Sequence, residues 1–73
     1  MKDEERQEIR AAAEDILRET ATESAAKKKL ARAQKKPPFK GFRFTSNSVH
    51  FNGTGRTATL YVAGEQVPIE VQV

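Results

Sequence analysis

Eight of the chain's 13 lysines and arginines fall in residues 24–43, a stretch that holds no acid. They are Lys27, Lys28, Lys29, Arg32, Lys35, Lys36, Lys40 and Arg43. Cations at this density could capture phosphates or another polyanion. At about 100° per residue, Lys28, Lys29, Arg32, Lys35 and Lys36 fall within roughly a third of a helix circumference. Lys40 and Arg43 would carry the patch past the helix. Such a stripe is the electrostatic footprint of a phosphate-backbone binder. The same bases also complement the dipole at a helix C-terminus. They offset the acidic residues 1–23 as well, where eight acids and four bases give −4. Charge alone reads no base sequence, so a nucleic acid or another acidic macromolecule is expected as a partner class and no more.

The remaining constellations carry less. Lys40-Gly41-Phe42-Arg43-Phe44 begins like the RNP1 motif, but Arg43 stands where a small residue belongs and Asn47 where an aromatic does. Phe42 and Phe44 read more simply as core residues. Gly53-Thr54-Gly55-Arg56-Thr57-Ala58 matches a dinucleotide fingerprint by letters, yet it opens a strand where the fingerprint needs a helix. Hairpin glycines account for it. His50 is the only histidine, and no second ligand type stands near it at metal spacing. Ser48 and His50 share a strand face without a carboxylate to orient a base. No catalytic residue, metal site or cofactor is expected, and the chain reads as non-enzymatic.

These residues need elements to hold them. From about Asp3 to Gln34 nearly every residue is a good helix former, with no Gly or Pro. Pro37 and Pro38 stop the helix at or before Lys36. Unbroken, it would be roughly 50 Å long. Its apolar stripe is clear only through Ile9, Ala12, Ala13, Ile16 and Leu17, and thins to Ala26, Leu30 and Ala33. Thr20-Ala21-Thr22-Glu23 carries two β-branched residues and reads as a capping box, so a kink or second helix start there is the alternative.

After Gly41 the apolar period changes to two. With Gly64-Glu65 as a two-residue turn, Val62 faces Val67, Leu60 faces Ile69 and Ala58 faces Val71. The outward pairs are Tyr61/Pro68, Thr59/Glu70 and Thr57/Gln72. A one-residue slip destroys this match, which sets the register. Phe42 and Phe44 share one parity and Val49 and Phe51 the other. Thr45–Ser48 is therefore a bulge near Asn47 in one strand or a turn making a fourth.

The expected fold is α+β: one long helix over 1–36, kinked near residues 20–23 in the alternative, a Pro/Gly linker over 37–41, and an antiparallel meander over 42–73. Three strands are favoured over four. Ile9, Ala13, Ile16, Leu17, Leu30, Leu60, Val62, Val67, Ile69 and Val71 are the candidate core or association residues. In 73 residues the core is small, and with no Cys association is the expected reinforcement. No apolar run reaches the ~20 residues of a membrane span, and the charged start lacks a signal-peptide pattern. A soluble, cytoplasmic module is expected. The primary functional expectation is self-association, as a homodimer or higher, through the helix or a sheet edge. The alternatives are nucleic-acid binding through 27–43, and an inhibitor or accessory protein docking on another macromolecule.

Overall fold

The computed structural model describes residues 2–39, 42–44, 48–62 and 64–73, with 42–44 described by backbone alone. Two helices precede the sheet, α1 over Asp3–Glu19 and α2 over Glu23–Ala33. The long helix expected from the sequence is thus broken, and a second helix start forms in its place. Thr20 (φ −97°, ψ 140°) and Thr22 (φ −133°, ψ 157°) are both extended, a conformation that β-branched residues favour. The Thr20 hydroxyl donates back to the Ile16 carbonyl at 2.9 Å. Thr22 Oγ1 accepts the Ala25 N–H at 3.1 Å and is the N-cap of α2. The cap therefore stands two residues beyond the Thr20 of the expected capping box.

A residue from the far side of the chain completes the break. Arg56 Nη1 donates to the Leu17 carbonyl and, at 2.6 Å, to that of Thr20. The last carbonyls of a helix have no partner within it. The guanidinium supplies one and also neutralises the negative end of the dipole. It lies 4.5 Å from the centroid of the Phe51 ring, in cation–π contact.

Helix α2 ends at Ala33, short of the expected Lys36. Lys35 and Lys36 donate to the Arg32 and Ala33 carbonyls in a tightened final turn. The Phe39 N–H then bonds the Lys36 carbonyl at 2.9 Å across a cis Pro37–Pro38 bond. Phe39 is buried, so part of the expected linker belongs to the core. Lys40 and Gly41 lie outside the described residues.

Four short antiparallel strands follow, β1 (Phe42–Phe44), β2 (His50–Asn52), β3 (Gly55–Val62) and β4 (Ile69–Gln72). β1 meets β3 at Phe42↔Val62 to Phe44↔Leu60, and β2 meets it at His50↔Thr57 to Asn52↔Gly55. β4 pairs with β3 over the intervening residues, at Thr57↔Gln72 to Leu60↔Ile69. β1 and β2 therefore share the other edge of β3, end to end, as two pieces of one interrupted strand. The sheet has three rows, as expected. Ser48 Oγ donates to the Thr59 carbonyl at 3.2 Å and accepts the Thr59 N–H at 3.4 Å, so a side chain replaces a backbone rung beside the interruption. Thr45, Ser46 and Asn47 are outside the described residues. Gly53, at φ +57°, takes the first central position of the β2–β3 turn, where glycine is favoured.

The β3–β4 register agrees with the expectation at Leu60↔Ile69 and Ala58↔Val71. The last rung does not form. Val62 is half-buried, and Val67, expected to face inward, is 65% exposed. The Val62 carbonyl accepts the Glu65 N–H at 3.1 Å instead. Arg6 of α1 takes the free carbonyls of Val67 and Pro68 at 3.2 and 3.0 Å. The core joins Ile9, Ala13, Ile16 and Leu17 of α1, Ala26 and Leu30 of α2, and Ala58, Leu60, Ile69 and Val71 of the sheet, with Phe39 and Val49. Both helices thus bury their apolar residues in one core with the sheet, α1 against β4 and α2 against α1.

Candidate polyanion-binding face

Ala26 and Leu30 turn α2 toward the core. At about 100° per residue, Lys28 points directly opposite their mean direction, with Arg32 within roughly 40° of it. These two form the outermost ridge of α2, Lys35 follows in the turn beyond its end, and all three are exposed. Lys29 and Lys36 lie roughly a quarter turn away. The two helices enclose a groove of about 600 Å³ lined by Lys28, Lys29, Arg32 and Lys36 over Ile16, Thr20, Ala25 and Ala33. Four of the expected basic residues thus share one concavity, and Lys35 is not among those lining it. Arg43 is described by its backbone, opposite Tyr61 in the β1–β3 register.

The cations are not equivalent. Lys29 Nζ is held by Glu19 at 2.7 Å, across the α1–α2 joint. Lys27 is 3.7 Å from Glu23. Among the described residues, Lys28, Arg32, Lys35 and Lys36 have no ion pair. Four uncompensated charges therefore stand on one face, where a ligand anion would meet no competing carboxylate except at Lys29.

The joint beneath the groove was not legible as part of a site. Thr20 is buried and lines the groove, and Arg56 holds its carbonyl. The only base after Arg43, Arg56 stands between Gly55 and Thr57 in a strand. That isolation is the one signal that could have marked it.

Both sheet edges carry helix side chains. Arg56 and Val73 exchange 2.9 Å backbone bonds, so the alternate residues Pro68, Glu70 and Gln72 turn their backbone groups outward. Arg6 takes the Pro68 carbonyl, and Arg10 Nε donates to that of Glu70 at 3.2 Å. On the opposite edge, the Phe51 N–H donates to Glu23 at 3.2 Å. Such charged plugs oppose strand addition.

Other candidates fall to structural positions. The Ser48 hydroxyl is engaged with Thr59, and His50 is exposed on the outer sheet face. Among the described residues no three His, Cys, Asp or Glu side chains converge as a metal site, and no helix is long and apolar enough to cross a membrane. No protein-family model matches the chain, and no curated protein or solved structure is significantly similar to it.

Proposed function

We propose that the chain is a non-enzymatic polyanion-binding module working through the basic face of α2. The observation that carries this is the set of four unpaired cations, Lys28, Arg32, Lys35 and Lys36, gathered on one exposed face. Self-association ranks behind it. The sequence offered the helix or a sheet edge as its contact surface. Both helices instead pack into the core, and Arg6, Arg10 and Glu23 occupy outward backbone groups of the edges. Docking on another macromolecule merges with polyanion binding wherever the partner's contact surface is acidic.

The test compares the wild type with K28A/R32A/K35A for binding to DNA, RNA and heparin at low salt. The wild type binds at least one of these and the triple variant loses most of the affinity, with an unchanged circular dichroism spectrum. No binding by the wild type to any of the three removes the proposal.

A further inference from the structure

We infer that the anion taken by this face is the phosphate backbone of a nucleic-acid duplex, lying along the outer ridge of α2 and held without regard to base sequence; this rests on the polyanion reading above. Charge density is the first reason. Lys28 to Lys36 covers about 12 Å at 1.5 Å per residue, and five bases fall within it. A duplex presents one charge per ~1.7 Å of axis, and a single strand of it one per ~3.4 Å. Over that 12 Å the duplex offers about seven phosphates and one strand three or four. One ridge of an acidic helix, with an acid each turn of 5.4 Å, offers about two. With Lys29 held by Glu19, four cations are unpaired, and a run of nucleic-acid phosphates meets that number where an acidic helix does not.

The second reason is the chemistry of the groove. Its floor is Ile16, Thr20, Ala25 and Ala33, with no aromatic ring among the described side chains. Single-strand binders stack bases on aromatic side chains. The described aromatic side chains are placed elsewhere. Phe39 is buried, Phe51 lies under Arg56, and Tyr61 is on the sheet face away from the helices. Lys28, Arg32, Lys35 and Lys36 include no Asn or Gln for adenine, Gln34 between them is half-buried at the C-cap of α2, and Arg32 is the one guanidinium among them. Backbone contacts of this kind position a protein on a duplex and carry no sequence information.

The experiment measures binding of the full chain at fixed salt to two short DNA duplexes of unrelated sequence, to oligo-dT and to poly-L-glutamate. The duplexes bind within about twofold of each other and roughly tenfold or more tighter than oligo-dT or polyglutamate. K28Q/R32Q/K35Q abolishes that advantage. Equal or tighter binding of oligo-dT or polyglutamate overturns the duplex assignment while leaving polyanion binding in place. A preference above roughly tenfold between the duplexes overturns sequence-independence. Failure to bind any of these probes, or heparin, removes the polyanion reading itself.

Discussion

Replacing Arg56 with alanine removes the clamp on the helix joint. The Thr20 carbonyl loses its donor, that of Leu17 keeps only the Thr20 hydroxyl at 3.4 Å, and Phe51 loses the cation over its ring. Hydrogen bonds to a charged group contribute about 1.5–3 kcal/mol each when buried. These are only part-buried, so the lower end applies to the pair together. The cation–π contact adds about 0.5–1 kcal/mol. A total near 2 kcal/mol follows, against a stability of about 4–11 kcal/mol for a chain this long at 0.05–0.15 kcal/mol per residue. In a domain of this size it lowers Tm by roughly 8–16 °C. Urea and thermal unfolding followed by circular dichroism measure it, with Arg56→Lys expected between wild type and alanine. A loss below about 0.5 kcal/mol for Arg56→Ala, the level of an ordinary surface substitution, refutes the clamp.

Three further outcomes are expected. Thr22→Ala destabilises by about 1 kcal/mol through loss of the α2 N-cap, and Thr22→Ser does not, as denaturant unfolding can check. Arg6→Ala/Arg10→Ala exposes the outward carbonyls of Pro68 and Glu70, so sedimentation should show stronger concentration-dependent association than in the wild type. Glu19→Gln frees Lys29 for the ligand and steepens the log–log salt dependence of duplex binding by about 0.9. An unchanged slope would place Lys29 outside the contact.

The β3–β4 register was legible because each inward pair is apolar in one register alone. Leu60 meets Ile69 and Ala58 meets Val71 for that reason. Val67 followed the same alternation and still faces solvent: the Glu65 N–H takes the Val62 carbonyl, and Arg6, some sixty positions away in the chain, takes that of Val67. No local pattern contains that contact. The helix break had a local signal in Thr20 and Thr22, but helix-forming residues on both sides outweighed it. What terminates α1 is tertiary, a guanidinium from β3. Phe39 was hidden by the two prolines before it, which read as linker although the ring packs in the core. In the basic face, helical spacing alone brought Lys28, Lys29, Arg32 and Lys36 together. The opposing wall of Ile16 and Thr20, and the capture of Lys29 by Glu19, required the second helix to fold back beside the first.

The salt dependence of duplex binding tests the central claim most directly. Four unpaired cations neutralising four phosphates give a log–log slope of about −3.6, a loss of roughly 150-fold in affinity between 50 and 200 mM salt. K28A/R32A/K35A should reduce the slope to about −0.9. A wild-type slope near zero, or a triple variant with the wild-type slope, contradicts binding through the basic face of α2.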